Sequence, residues 1–306
     1  MQNPAVWNAD PECGHRVAHA YQTHYCTYIR VPRLLTLQDS NSSDERFLIT
    51  ALQWYELWFK VLLTDLRAAL REDGSTFEPI KLLRRGVELY KLFFLHADLC
   101  DAIITRDLAL KKSLRDATGR GISNSFAEIL ILAGQLARRW RNPPVELVEA
   151  VREYRAQLDA FRARYEKFLR ATLIRKPRAP TYANWLHVNQ LLGLQGGIKS
   201  AWTEEGKSPH GFRAPAEIGA DETMFIVVHQ CFEVWFRVLL DCIERAIPLL
   251  QRGEIRAATR GMRRVERARE KFSSRVSRPR AAPRVTSFAK SKSCAVCATT
   301  RRFSIF

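Results

Sequence analysis

Apolar and polar positions alternate with a helical beat through most of this chain. The stretch "RFLITALQWYELWFKVLLTDLRAAL" over residues 46–70 repeats its apolar residues at three- and four-residue spacing, with Ser43 or Asp44 placed to cap it. "EDGSTFEP" reads as a turn, and "IKLLRRGVELYKLFFLHADLCDAII" as a second long helix. Residues 106–140 read as helix, Gly-rich loop and helix, and "RNPP" then breaks the chain where Pro-Pro suits a helix start. A charged amphipathic helix follows over 145–174, and "RKPRAP" reads as a linker. Strand signals are nearly absent, so the pattern predicts an all-α fold, a helical bundle.

The pattern repeats itself. "YCTYIRVPRLLTLQ" at 25–38 returns as "YANWLHVNQLLGLQ" at 182–195, with six of fourteen positions identical. "DERFLITALQWYELWFKVLL" at 44–63 returns as "DETMFIVVHQCFEVWFRVLL" at 221–240, with ten of twenty identical. The repeat predicts two related helical modules in tandem, over 25–177 and 178–270. They are flanked by an N-terminal segment, 1–24, and a tail, 271–306. The loop between the two repeated pieces of the second module, 196–220, is longer than in the first and rich in Gly and Pro, which suits a lid or an insertion.

Composition narrows the picture. With 46 % hydrophobic residues over 306 positions the chain has enough apolar surface for a core. The net charge of +17 invites a nucleic-acid reading, but nine of the positive residues and no acidic ones lie in 271–306. That tail lacks regularly interleaved aromatics, so a solvated tail is expected and nucleic acid is not an expected partner. No run of 18 apolar residues suggests a membrane span, and residues 1–15 lack a signal-peptide pattern. Seven scattered cysteines suit a reducing compartment, so the expected location is cytoplasmic. Cys294 and Cys297 form one C-x-x-C pair, half of a tetrahedral zinc site, with no second pair beside it.

Chemistry enters with "VHQCFE". On the second long repeat, Phe225, His229 and Phe232 or Glu233 share one helical face. The matched positions of the first repeat hold Leu48, Leu52 and Tyr55 or Glu56. A leucine therefore serves helix packing where His229 stands, and the histidine is free to be a ligand. A core histidine with a satisfied partner is the other reading. Gln230 and Glu233 recur as Gln53 and Glu56, which points to architecture.

These two adjacent segments resemble the tryptophan 2,3-dioxygenase family. Its members carry Tyr-x-x-Tyr-Leu-x-Leu-x-x-Leu-Leu and then a Glu-x-x-Phe-Ile-x-x-His-Gln-x-x-Glu-Leu-Trp helix. The resemblance implies an all-α, tetrameric haem enzyme that adds both atoms of O2 to the indole of L-tryptophan and gives N-formylkynurenine. It makes His229 the acceptor of the indole N–H and Phe225 the ring packed on the indole. Tyr182, Trp185 and Leu186 match the segment that reaches a neighbouring site, with Trp185 in place of a tyrosine. Tyr25, Tyr28 and Ile29 match that segment in the first repeat, so either segment could serve the other's site within one chain. Arg115 aligns loosely with the arginine that clamps the substrate carboxylate, a task suited to a planar guanidinium. The implied partners are L-tryptophan or another indole, O2 and further copies in a homo-oligomer. The implied cofactor is haem.

The family's iron ligand, a histidine in Arg-x-x-His-x-x-x-Val, and its Gly-Thr-Gly-Gly-Ser-Ser-Gly loop have no counterpart in the sequence. His96 is the one internal histidine on an apolar helix, and it reads as core packing. The metal ligand is unassigned. Past Glu270 the helical pattern stops, as a frameshift or recombined end would leave it. Two further readings follow: a truncated paralogue without catalysis that acts as a helical oligomerisation or binding module, and a module whose basic tail engages polyanions.

Overall fold

In the computed structural model the described residues are 28–38, 40, 43–71, 76–106, 123–140, 142–172, 181–196, 218–259, 262, 263 and 266. They are all-α, with eight principal helices and no strand among them. These are α1 (Val31–Thr36), α2 (Ser43–Arg71), α3 (Phe77–Arg106), α4 (Asn124–Arg139), α5 (Val145–Thr172), α6 (Tyr182–Trp185), α7 (Val188–Leu192) and α8 (Ala220–Gln251). Tyr25, Arg115, most of the 196–220 loop, the tail and its two cysteines lie outside the described residues.

The axis of the molecule is α2. Most of its residues are buried, on every face, as a helix apolar all round requires. Helices α3 and α4 cover one side, α8 covers another, and α5 backs α3. At Gly86 the packing of α3 on α5 is so close that a Cβ would lie 2.5 Å from a ring carbon of Tyr154, so any side chain there forces the helices apart. Ser123 caps α4 by accepting a bond from the Phe126 amide at 3.0 Å, as the local pattern of a short polar residue before an apolar run allows.

Helix α8 docks on α2 through Val227, Val234 and Val238, which belong to the same apolar core as Leu52, Phe59 and Leu62. Arg46 of α2 pairs with Asp241 of α8, and Arg85 of α3 bridges Asp65 and Asp221. Among the described helices, α8 is long and apolar enough by length and composition to cross a membrane. Its buried valines and the Arg46–Asp241 pair tie one of its faces to α2, and Asp221 ties its first turn to Arg85 of α3.

The short helices cross over. Helix α1, from the first repeat, packs on α8, and α7, from the second, packs on α2. Each is entered through a residue with left-handed backbone, Arg30 at φ 56° and His187 at φ 51°, which occupy matched positions in the repeat. Non-glycine residues adopt this region at a cost of roughly 1–2 kcal/mol. The turn they make directs the preceding carbonyl, of Ile29 or Leu186, inward.

Candidate functional site

Two buried glutamines receive those carbonyls. Gln53 of α2 donates from Nε2 to Leu186 O at 2.9 Å and to Leu37 O at 3.0 Å, while Gln38 donates to its Oε1 at 2.6 Å. Gln230 of α8 repeats this set. It donates to Ile29 O at 3.0 Å and Leu194 O at 3.3 Å, and accepts from Gln195 at 2.8 Å. Each glutamine thus holds its own repeat's short segment and the other's. Both amides are fully buried, so the carbonyls would otherwise lose their partners out of water's reach.

The exchange carries two aromatic side chains across. Trp185 donates from Nε1 to Glu45 at 3.0 Å, on α2, and Tyr28 donates its hydroxyl to Glu222 at 2.9 Å, on α8. Glu45 and Glu222 are matched positions. The predicted site residues therefore fall at two places. Tyr182, Trp185 and Leu186 stand against α2, all buried. Tyr28, Phe225 and His229 come together on α8.

At the α2 place the chemistry is enclosed. Glu56 is fully buried and accepts from Ser125 Oγ at 2.7 Å and from the Tyr182 hydroxyl at 3.0 Å. The Tyr165 and Tyr182 hydroxyls bond each other at 3.1 Å. Burial pushes the Glu56 carboxyl above its ordinary pKa, and the bonds from Ser123, Ser125 and Tyr182 hold back part of that rise. Leu48 and Leu52 complete a sealed interior. Sequence reasoning did not single out Ser125, whose serine sits unremarked in "SNSFAE".

At the α8 place the chemistry is open. Phe225 is 51 % exposed, and the Tyr28 ring meets it edge-on with centroids 6.0 Å apart. The His229 ring lies 4.3 Å from the Phe225 ring. Its Nδ1 lies 2.7 Å from the Phe225 carbonyl oxygen. A carbonyl only accepts, so in this contact Nδ1 is the donor. The arrangement sets an imidazole beside a half-exposed aromatic face.

Haem is the cofactor that the resemblance implies, and His96, the buried histidine among the described residues, does not fit the part of its axial ligand. An axial histidine needs one open ring nitrogen and a gap wide enough for a flat macrocycle. His96 is stacked on Trp54 at 3.9 Å with planes 5° apart, is edge-on to Tyr55, and has Cys100 Sγ 3.8 Å from both ring nitrogens. Burial pulls its pKa down to about 3, so it stays neutral as a core ring. No cluster of three or more His, Cys, Asp or Glu side chains among the described residues is set up to hold a metal ion.

Comparison with known proteins returns one name repeatedly. The chain is 35 % identical over 89 residues to the tryptophan 2,3-dioxygenase of Sorangium cellulosum, covering 28 % of this chain and 18 % of that protein. It is 34 % identical over 125 residues to tryptophan 2,3-dioxygenase 2 of Ralstonia nicotianae, covering 36 % and 34 %. The enzyme of Nocardioides sp. is 31 % identical over 124 residues, covering 37 % and 46 %. The chain thus spans less than half the length of the curated relatives it matches. No family model matches, and no solved structure matches. Over about a third of its length, this chain is a distant relative of the tryptophan 2,3-dioxygenases.

Proposed function

We propose that the chain recognises an indole, L-tryptophan or a close analogue, at the Tyr28–Phe225–His229 corner of α8, with the orientation that a tryptophan 2,3-dioxygenase uses for ring opening to N-formylkynurenine. One observation carries this: the half-exposed Phe225 ring, the Tyr28 ring edge-on to it and the His229 imidazole 4.3 Å from it meet at one corner of α8, an imidazole beside an aromatic face. Phe225 offers the apolar face and Tyr28, delivered from the other repeat, props it edge-on. The partial similarity to several tryptophan 2,3-dioxygenases supports the choice of indole over other flat heterocycles. A protonated imidazole has no acceptor, so the neutral ring is the binding form.

Oxidation by O2 on haem is the chemistry that the resemblance adds. The described residues contribute the binding half of that activity, and no oxidative step is derived from them. Their enclosed His96 favours a second reading, an indole-binding helical module without turnover.

Fluorine NMR of 5-fluoro-L-tryptophan with the chain tests the site directly. We expect saturable broadening that weakens roughly tenfold in His229→Leu, the loss of one net hydrogen bond, with helicity by circular dichroism unchanged. Equal binding by wild type and His229→Leu removes the assigned role. Added haemin separates the two readings. A Soret band that shifts with L-tryptophan supports the enzyme, and indole binding without such a band supports the module.

A further inference from the structure

Helix α5 packs far more extensively on α3 than on α4, and an open trough of about 480 Å³ lies between α4 and α5. Small-molecule sites span about 300–1,000 Å³, so the trough is large enough to be one. Leu147, Val151, Arg155 and Asp159 line it at four-residue steps, which puts them on one face of α5. At the rise of a helix that face runs for about 18 Å.

The two ends of the trough differ in chemistry. At one end Leu136 of α4 and Leu147 of α5, both buried, make the floor. Trp140, just past α4, and Val151 are partly exposed beside them, and Val148 stands at the rim, 46 % exposed. Toward the other end the lining turns to Arg152, Arg155 and Asp159. Arg152 reaches Glu149 only at 3.9 Å, the long limit of an ion pair, and Arg155 makes no ion pair among the described residues. Two guanidiniums against the one carboxylate of Asp159 leave a single positive charge there. An apolar channel that runs into one net positive charge is complementary to a single-chain amphiphile with one negative head.

We propose that this trough binds a free medium-chain fatty acid as its carboxylate anion, with the acyl chain over Leu136, Leu147 and Val151 and the head group at Arg155. A planar guanidinium grips a carboxylate through two parallel N–H···O bonds, and the exposed Arg155 is placed to swing onto it. The walls favour a chain over a flat ring. Apart from Trp140 their apolar members are aliphatic, and the trough is longer than a bicyclic ring. Each methylene taken out of water strengthens binding roughly fourfold, so the length of the channel converts into affinity. The single net charge suits one carboxylate and works against a phosphate dianion. The trough belongs to α4 and α5 and the indole corner to α8, so neither reading depends on the other.

Isothermal titration calorimetry of the full chain with dodecanoate below its micelle concentration tests the site, with Arg155→Gln and, separately, Val148→Glu. Both positions are exposed, so each variant should keep its helicity by circular dichroism. We expect one saturable site whose affinity falls roughly tenfold in Arg155→Gln, which loses a charge-assisted bond, and at least as far in Val148→Glu, which sets a like charge beside the chain. Decanoate, two methylenes shorter, should bind roughly tenfold more weakly. Dodecyltrimethylammonium should not compete. The absence of saturable uptake overturns the proposal, and so does full affinity in Arg155→Gln. If Val148→Glu also binds fully, the uptake belongs to the outer side of α8, where Phe232, Phe236 and Leu240 are each 49 to 56 % exposed. Equal competition by dodecyltrimethylammonium overturns it as well, since the arginines then do not choose the ligand. 3-Phenylpropionate bound as tightly as dodecanoate makes the trough a site for short aryl acids instead.

Discussion

Helices α2 and α8 share half of their aligned residues and the same glutamine clamp, yet they live in different surroundings. On α2 the face that bears Leu52 is enclosed by α3, α4 and α5, and its polar member, Glu56, is fully bonded inside. On α8 the same face meets solvent, and its polar member is His229. The lesson is that a duplicated-looking pattern specifies the inner contacts of a helix. What covers the outer face decides whether a residue there is core or site.

Swapping the two residues tests this most severely. Leu52→His sets an imidazole in a sealed apolar interior and should cost about 3–5 kcal/mol in urea unfolding, whereas His229→Leu should change stability by no more than about 0.5 kcal/mol. Comparable costs at the two positions would erase the distinction between the helices. Next in size is the clamp. Gln53→Leu leaves the carbonyls of Leu37 and Leu186 buried without their donor and should cost about 2–4 kcal/mol, with Gln230→Leu close to it, because the two bond sets match. If only one of the pair destabilises the chain, the crossover holds the fold on one side alone.

Glu56 gives the comparison a pH dependence. Its folded carboxyl has a raised pKa, so the folded chain binds the proton more tightly than the unfolded one. The associated stability is fully present below the ordinary carboxylate pKa and is lost as pH rises through the raised value. The slope is at most about 1.4 kcal/mol per pH unit for one proton. Urea midpoints at a series of pH values from 4 upward should therefore fall more steeply in wild type than in Glu56→Gln. Parallel curves would show that another group sets the slope. The smallest expected effect is at the left-handed turns. His187→Gly removes backbone strain at an exposed position and should raise stability by no more than about 1 kcal/mol, read as a small rise in Tm.

Much of this was legible in the chain itself. Helical periodicity predicted the long helices α2, α3, α5 and α8, because a strong 3.6-residue pattern depends only on which side meets apolar surface. The repeat marked Gln53 and Gln230 as architectural before any contact was known, and the bonds of both are now plain. The clamp's reach into the other repeat was not legible, because it depends on a left-handed turn at Arg30 and His187, residues with no special liking for that backbone.

The sequence alone determined that the chain is helical, that it repeats a segment pair, and that a histidine stands where its counterpart has leucine. Those are properties of residue type and spacing. The tertiary structure alone decided that Tyr182, Trp185 and Leu186 go to α2 while Tyr28 goes to α8, that His96 is sealed against Trp54, and that one of two similar helices keeps a bare apolar side. The physical reason is that each depends on which distant helix arrives to cover a face, and a helix carries no record in its own sequence of the neighbour it meets.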